Sequence, residues 1–209
     1  MKVILLNKPT DECCRIAAAI CTNYPDKDKA LRGAMASGHE SVIEHAIYTF
    51  LVEDVSRVLL AQLTRHRLAS FSVESQRYVN QENAGFVVPE SVRGTSAETF
   101  FARMNEMAMN LYTDAIAGGV PEEDARYILP QAIKTRLVMS MNPRELRHFL
   151  ALRMCNRAQW EIRDLADRIF DICTKETPEL MRGAGCGCMT GRCPEGKRAC
   201  GHPRKAAEA

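Results

Sequence analysis

The sequence predicts an α+β fold, in which a sheet is flanked by helices that include long C-terminal helices. Three segments rich in β-branched, aromatic or aliphatic residues have strand character, and they are residues 1–7, 46–52 and 135–141. Elsewhere apolar residues recur at the three- and four-residue spacing of helices. Because strands and helices do not alternate regularly, the pattern favours α+β over a parallel α/β sheet.

Start and stop signals place the predicted helices along the chain. Gly38 marks a helix end, Thr95-x-x-Glu98 is a capping box, and Asn142-Pro143 followed by Glu145 opens the last helix. The predicted helices are 11–20, 26–37, 56–64, 95–118, 121–130 and 143–174, the last with allowance for a bend. The polar segment 70–78 is predicted to be a loop.

Length and composition limit the class of protein. A chain of 209 residues with 46% hydrophobic and 26% charged residues is globular rather than disordered. We expect one domain at residues 1–182 and a Gly/Cys-rich tail at residues 183–209. No apolar run approaches the roughly 20 residues that cross a bilayer, and the first strand is too short for a signal peptide. The nine cysteines are therefore expected to be reduced, in the cytoplasm.

The basic residues are mostly arginine. The chain has 20 Arg against 8 Lys, and its net charge is only +2, too low for a polybasic protein. Because guanidinium groups grip phosphate or carboxylate with two parallel hydrogen bonds, this bias indicates anion recognition, although genomic composition is an alternative explanation. No G-x-G-x-x-G or P-loop motif occurs, so a bound nucleotide would be held without a glycine-rich phosphate loop.

The first candidate site follows the helix at 56–64. It combines Arg65-His66-Arg67 with Ser70, Ser75 and Arg77-Tyr78, and Gln62 precedes it by one turn. Guanidinium forks and hydroxyls at this density suit a phosphate. The Arg-His-Arg triplet alone has a second interpretation, as cations that stabilise a helix C-terminus.

The second candidate site lies on the helix that starts at Pro143. Arg153 shares one helical face with Leu146, Phe149 and Leu150, so its guanidinium needs an anionic partner or a wet cleft unless it extends into water. Three polar residues cluster at the N-terminal end of this helix, where free N–H groups favour anions, and they are Asn142, Arg144 and His148. Further along the helix the expected positions are Arg157 one turn beyond Arg153, Trp160 in the core and Glu161 at the surface.

Two other segments have alternative interpretations. The segment Gly38-His39-Glu40-Ser41-x-x-Glu44-His45 lacks the H-E-x-x-H zinc motif, so its histidines are better explained as structural. In the tail, a zinc site and a flexible reduced segment are both open, the second being favoured because the spacing is not C-x2-C. The tail residues concerned are Cys186, Cys188, Cys193 and Cys200, with His202 as an alternative ligand. No metal is therefore included in the predicted site.

Arg65-His66-Arg67, seven further residues and then Ser75 resemble the R-H-R-x7-S signature of the flavin-dependent thymidylate synthases. The flanking segments GHESVIEHAIYTF, 121–130, Asn142-Pro143-Arg144, Leu152-Arg153 and 158–161 resemble family segments in the same order. The resemblance covers roughly residues 30–170. Many members have Asn-Glu where this chain has Ser72-Val73, and other members carry Asn and His at the positions of His148 and Arg157.

The resemblance implies an activity and an assembly. Members of this family convert dUMP to dTMP, with methylenetetrahydrofolate as carbon donor and FAD reduced by NADPH as reductant. They are homotetramers of α+β subunits, and their active sites lie at subunit junctions. The resemblance implies neither a nucleic-acid polymer nor a membrane as a partner.

The resemblance also implies site residues, position by position. The residues implied to hold dUMP are Gln62, Arg65, Val73, Glu74, Ser75, Gln76, Arg77, Arg126 and Arg153, with backbone contacts from Val73 and Glu74. The residues implied to hold FAD are Ser41, Arg65, His66, Arg67, Asn142, Arg144 and His148. Arg65 would serve both ligands from facing subunits.

The expected chemistry assigns Arg153 and Ser75 as catalytic residues. A guanidinium at the uracil edge stabilises negative charge at N3 and O2, which raises electron density at C5, and an apolar setting strengthens this effect. Ser75 would position the pyrimidine. No covalent cysteine nucleophile is expected, and Cys155 is the alternative candidate. A rival interpretation is a non-catalytic nucleotide- or RNA-binding protein, which would be colourless and bind in a strongly salt-dependent way.

Overall fold

The computed structural model describes residues 1–191 and 193–204, so residue 192 and residues 205–209 of the predicted tail lie outside the description. Within the described residues the strands are β1 (Lys2–Asn7), β2 (Tyr48–Ser56), β3 (Ser70–Val73) and β4 (Lys134–Met141). They form a sheet in the order β1-β2-β4-β3. The α+β prediction is confirmed.

The described residues also form helices, numbered in chain order. They are α1 (Glu12–Thr22), α2 (Lys27–Ala36), α3 (Arg57–Leu63), α4 (Ala97–Ala117), α5 (Glu122–Ala125), α6 (Pro143–Arg153), α7 (Trp160–Glu176), α8 (Pro178–Met181) and α9 (Gly187–Thr190). Short 3-10 turns occupy Glu40–Ile43, Arg126–Ile128 and Gly196–Arg198. None of these helices is both long and apolar enough to cross a membrane.

The chain divides into two compact units. The first unit comprises Met1–Lys2, Val52–Leu63 and Ser72–Val138, and the second comprises Val3–Leu51, Thr64–Phe71 and Met139–Ala209. Each strand therefore has residues in both units.

The first unit contains α3, α4 and α5. Its core includes fully buried side chains of β2, α3, α4 and β4, among them Val55, Leu59, Leu63, Tyr112 and Leu137. The phenol oxygen of Tyr112 accepts a hydrogen bond from the backbone N–H of Gln81 at 3.2 Å, which satisfies the polar end of a buried ring.

One face of α4 in the first unit is apolar and exposed. The predicted helical spacing is confirmed, but Met104, Met107 and Leu111 are 45%, 50% and 51% exposed. With Phe100 they stand at i, i+4, i+7 and i+11, which is a continuous stripe along the helix. This stripe is an apolar surface that the chain leaves open to solvent.

The second unit contains α1, α2 and α6 to α9. In it α6 contacts α7, α8 and the Glu40–Ile43 turn, and α1 contacts α2. Helices α6 and α7 place an apolar face inward, with Leu146, Phe149, Ile162, Leu165 and Ile169 fully buried. This packing fixes the position of α6, which carries much of the predicted site.

Segment 70–78 is not wholly a loop, because its first residues form β3. The loop prediction relied on the serine content. Serine and apolar residues alternate in Ser70-Phe71-Ser72-Val73, however, and Phe71 and Val73 are half-buried while both serines are exposed. This period of two is a strand pattern that composition obscured.

The predicted helix at 143–174 is two helices, α6 and α7. The turn between them is held by polar contacts that helical periodicity does not reveal. The Arg204 guanidinium donates to the Met154 carbonyl at 2.8 Å, at the end of α6, and the Gln159 side chain accepts from the N–H groups of Glu161 and Ile162 at the start of α7. Arg157 is therefore not one turn beyond Arg153 on a helix but in this turn, where it donates to the Arg198 carbonyl.

Two smaller predictions also need correction. The carboxylate of Glu98 accepts from the N–H of Gly94 at 2.7 Å rather than from Thr95, so the predicted capping box is displaced by one residue and α4 starts after Ser96. Trp160 is half-buried, whereas Glu161 is buried instead of lying at the surface.

Candidate active site

The Arg-His-Arg segment and α6 form a cavity in the second unit. The cavity has a volume of about 530 Å³, and its lining includes Arg65, His66, Arg67, Glu145, His148 and Arg153. Residues of the predicted FAD set and of the predicted dUMP set therefore lie around one cavity, with Arg65 belonging to both.

A chain of hydrogen bonds links three of these side chains. The Arg153 Nε–H donates to His66 Nε2 at 3.1 Å, and His66 Nδ1 lies 3.0 Å from Glu145 Oε1. An arginine Nε–H only donates, so His66 Nε2 is an acceptor and the proton is on Nδ1, which donates to Glu145. His66 is thus a neutral imidazole with both ring nitrogens engaged.

The surroundings of His66 favour this neutral form. His66 and Glu145 are only 4% and 6% exposed, and the ring meets Phe149 edge-on at 5.1 Å between centroids. Burial lowers the pKa of His66 below its usual 6.5, Glu145 opposes this shift, and the charge of Arg153 adds to it. The ring therefore stays uncharged near neutral pH.

Arg153 is half-buried on the apolar face of α6. Burial, and secondarily the nearby charge of Arg65, lower the pKa of its guanidinium from the usual value, although Arg remains charged at any accessible pH. From its sequence position, Arg153 was expected to need an anionic partner or a wet cleft. The structure supplies the cleft, and within it Arg153 donates to the uncharged His66.

A second cavity of about 770 Å³ opens beside the N-terminus of α6. It shares Leu68, Glu145 and His148 with the first cavity. Asn142 and Arg144 also line it, so three residues of the predicted FAD set are brought together here. Asn142 caps the helix, because its side-chain oxygen accepts from the Glu145 N–H at 2.8 Å, and Pro143 is the first helical residue as predicted.

Two ion pairs border the second cavity. Arg147 donates to Glu40 at 2.7 Å and also to the carbonyl of Arg182 at 2.8 Å, while Arg144 pairs with Glu44. Ser41 lies on the short turn that carries Glu40 and is exposed. Glu40, Glu44 and Arg147 were not assigned from the sequence, since their roles depend on partners about a hundred positions away.

The tail forms part of the wall of this second cavity. The tail residues concerned are Gly183, Ala184, Gly185 and Thr190. Nearby, the Cys186 and Cys188 sulfurs lie 3.4 Å apart. Among the residues that the structure describes, no group of three or more His, Cys, Asp or Glu side chains is arranged to hold a metal ion.

The remaining predicted dUMP residues lie in the first unit. Ser75 is half-buried and its hydroxyl accepts from the N–H of Arg77 at 3.2 Å, while Gln76 is buried. The Glu74 carboxylate pairs with Arg136 at 2.6 Å, and its N–H donates to the Arg136 carbonyl. Val73 ends β3, and Gln62 lies on α3.

Glu123 connects two arginines of the predicted dUMP set in the first unit. Its carboxylate accepts from Arg77 Nε at 2.9 Å, and its backbone carbonyl accepts from Arg126 Nε at 3.0 Å. The pKa of the Arg57 guanidinium is lowered from its usual value, mainly by burial and secondarily by the nearby charge of Arg126. Arg57 and Glu123 were not predicted, and no spacing in the sequence relates them to Arg126.

Comparisons with known proteins agree with the signature. The family model described as Thymidylate synthase complementing protein matches residues 2–179. The chain is 46% identical over 198 residues to the flavin-dependent thymidylate synthase of Geobacter sulfurreducens, covering 93% of this chain and 81% of that protein. It is 44% identical to the enzyme of the same name from Pyrococcus furiosus, covering 81% and 74% of the two chains, and 44% identical to that of Nitratidesulfovibrio vulgaris, covering 78% and 71%. The chain therefore belongs to the family of thymidylate synthase complementing proteins, the flavin-dependent thymidylate synthases that its Arg-His-Arg signature indicated.

Proposed function

We propose that this chain is a flavin-dependent thymidylate synthase. It converts dUMP to dTMP by reductive methylation, with methylenetetrahydrofolate as carbon donor and NADPH as the source of electrons for FAD. The observation that carries this proposal is the contact of the signature histidine, His66, with Arg153 on α6 in a chain of this family. This contact holds a guanidinium in a half-buried position, where its charge acts more strongly on a bound pyrimidine than it would in bulk water.

The residues of the second cavity fit FAD chemically. The N-terminus of α6 and the guanidinium of Arg144 suit a pyrophosphate, and Leu68 and Ala151 offer apolar contacts for a flat ring. Arg144 pairs with Glu44, but both side chains are exposed, so exchanging this weak pair for a phosphate costs little. In the proposed site Asn142, Arg144 and His148 hold the cofactor from α6, while Ser41, Arg65, His66 and Arg67 hold it from the preceding segments. His66 does so with groups other than its two ring nitrogens, which are engaged by Glu145 and Arg153.

Reduced FAD, when bound, would supply the hydride that completes the methyl group, and the side chains of the protein prepare dUMP to take up the carbon from methylenetetrahydrofolate. Arg153 stabilises negative charge at N3 and O2 of the uracil, so that C5 becomes nucleophilic, and Ser75 positions the ring. Arg77 and Arg126 bind the phosphate, helped by Gln62, Arg65, Gln76 and the backbone at Val73 and Glu74. No cysteine forms a bond to C6. Cys155 lies in the turn between α6 and α7, outside the linings of both cavities.

The enzyme acts as a homotetramer in this proposal, with active sites at subunit junctions. The support is the exposed apolar stripe of α4 at Phe100, Met104, Met107 and Leu111, which is typical of a surface that another subunit covers. A reducing compartment, the cytoplasm, suits the nine free thiols.

Tritium release from [5-³H]dUMP tests the proposal. Formation of the new bond at C5 expels the C5 hydrogen, so the purified protein is expected to release tritium with methylenetetrahydrofolate and NADPH present, and to do so faster with added FAD. The protein should also be yellow. Cys155→Ser is expected to keep this activity. If that variant releases no tritium while the wild type does, a covalent mechanism with Cys155 as nucleophile would replace the proposed one. A colourless protein that releases no tritium would overturn the proposed function.

A further inference from the structure

The hydrogen-bonded chain Glu145–His66–Arg153 contains a residue that neither ligand explains. Glu145 is assigned to neither dUMP nor FAD, yet its carboxylate is almost fully buried. Its backbone N–H already belongs to the cap of α6, whereas its side chain reaches across to His66. Burying a carboxylate is costly, so this position calls for a partner or a role.

The contact geometry defines what Glu145 does to His66. Its Oε1 accepts the Nδ1 proton, and this leaves the lone pair of Nε2 directed at the Nε–H of Arg153. The rings of Phe149 and His148 stand edge-on to the imidazole, with centroids at 5.1 Å and 5.9 Å. The imidazole is thus fixed in tautomer, in tilt and in position.

An acceptor that is held in a fixed position and receives the Nε–H of an arginine orients its guanidinium group. The group is planar, so one short hydrogen bond at Nε restricts rotation about the last side-chain bonds and sets the plane in which the other N–H groups lie. The bond occurs in a half-buried setting, where it competes less with water than at the surface. Glu145 therefore influences Arg153 without touching it.

We propose that Glu145 is a positioning residue for catalysis, which acts through neutral His66 to hold the Arg153 guanidinium in the plane that uracil requires. The inference rests on the proposed function, because it assigns a role within that same active site. It adds a residue that the signature does not include.

Protonation of His66 breaks this arrangement. An imidazolium carries a proton on Nε2, which would then face the Nε–H of Arg153, and two donors cannot share a hydrogen bond. The charged and titratable groups that face His66 are Glu145, His148 and Arg153 from α6 and Arg65 and Arg67 from its own segment. Because burial and Arg153 outweigh Glu145, the pKa of His66 is lowered, so activity is expected to fall only on the acid side of pH 6.5.

Steady-state kinetics of three variants test the proposal. Glu145→Ala removes the acceptor, and the resulting misalignment of Arg153 is expected to lower kcat by about 100-fold with a smaller change in KM for dUMP. Glu145→Gln keeps an oxygen that accepts from Nδ1–H and should lose less. His66→Gln keeps a non-titrating acceptor for Arg153. His45→Gln and Glu12→Gln make the same chemical changes at exposed positions of the second unit and serve as controls.

The pH profile separates positioning from a merely structural role. The profile is measured from about pH 5 to 8, and the kcat of the wild type is expected to fall toward the acid end of this range. The acid limb should move to lower pH in Glu145→Gln, since the carboxylate that favours the imidazolium is gone, and it should be absent in His66→Gln. Flavin content and melting temperature are measured for every variant, so that rates refer to folded, flavin-loaded enzyme.

A direct readout is the tautomer of His66 itself. The chain has five histidines, so selective ¹⁵N-histidine labelling gives a simple spectrum in which His66→Gln identifies the signal. We expect the Nδ1–H form in the wild type and its loss in Glu145→Ala. A mixture of tautomers in the wild type, an unchanged kcat in Glu145→Ala, or the same acid limb in His66→Gln and wild type would overturn the positioning role. Absence of wild-type tritium release would instead overturn the proposed function.

Discussion

Arg153 shows how one side chain combines opposing requirements. Its position on the apolar face of α6 lowers the local dielectric and so strengthens its effect on a nearby anion. The same burial penalises its charge, as the lowered pKa indicates. Donation to His66 offsets part of this cost without neutralising the guanidinium.

Removing this guanidinium is expected to stop catalysis while FAD stays bound. Arg153→Ala should reduce tritium release to background, because the negative charge at N3 and O2 loses its stabiliser. Arg153→Lys keeps the charge but not the planar fork, and should recover little. Flavin absorbance of the purified variants measures cofactor retention. Arg168→Ala, an exposed arginine of α7 paired with Asp164, is the control. Loss of FAD in Arg153→Ala, with full activity restored by added flavin, would contradict this role.

The sequence revealed Arg153 but not its partners. Periodicity placed it on a buried face because Leu146, Phe149 and Leu150 precede it at helical spacing. His66 is 87 positions away, and its contact with Arg153 depends on tertiary packing that no local pattern encodes. The contact of Glu145 with His66 was not predicted for a different reason. Its place at the third position of α6 already explained it as a capping residue, so nothing in the sequence called for a second role.

Helix α6 is specified strongly at its start and weakly at its end. Asn142, Pro143 and Glu145 define the N-terminus in both sequence and structure. The C-terminus follows no such signal, because Arg153 and Met154 are compatible with further helix. The helix ends where Arg204 caps the Met154 carbonyl, a contact from 50 positions away. Helix starts are local in origin, whereas this helix end depends on the tail.

The cap of α6 is expected to stabilise the fold measurably. Asn142→Ala should lower the free energy of unfolding by about 1 kcal/mol, because the Glu145 N–H loses its acceptor. Asn142→Ser keeps a capping oxygen and should retain most of that stability. Ser96→Ala, at the equivalent position of α4, is the control, since the Ser96 side chain makes no capping hydrogen bond there. Urea unfolding in the absence of added FAD measures the differences. Equal losses in Asn142→Ala and Ser96→Ala would show that the cap contributes nothing.

The residues implied to hold FAD and those implied to hold dUMP are distributed differently between the two compact units. Every residue implied to hold FAD lies in the second unit. The residues implied to hold dUMP lie in both, with Ser75 in the first unit and Arg153 in the second. The resemblance of the signature and its flanking segments to the family supplied both sets from the sequence. The resemblance also implies that Arg65 serves both ligands from facing subunits.

Mixing two inactive variants tests whether active sites are shared between subunits. If Ser75 and Arg153 of one site come from different chains, co-expressed Ser75→Ala and Arg153→Ala chains form some sites with both residues intact. Random one-to-one assembly should restore about a quarter of the wild-type activity, whereas each variant alone stays inactive. Light scattering should give four times the chain mass of 23.4 kDa for the mixture and for each parent. As a control, co-expressed Arg153→Ala and Arg153→Lys chains should gain nothing. A mixed tetramer as inactive as its parents would place Ser75 and Arg153 of each site in one chain.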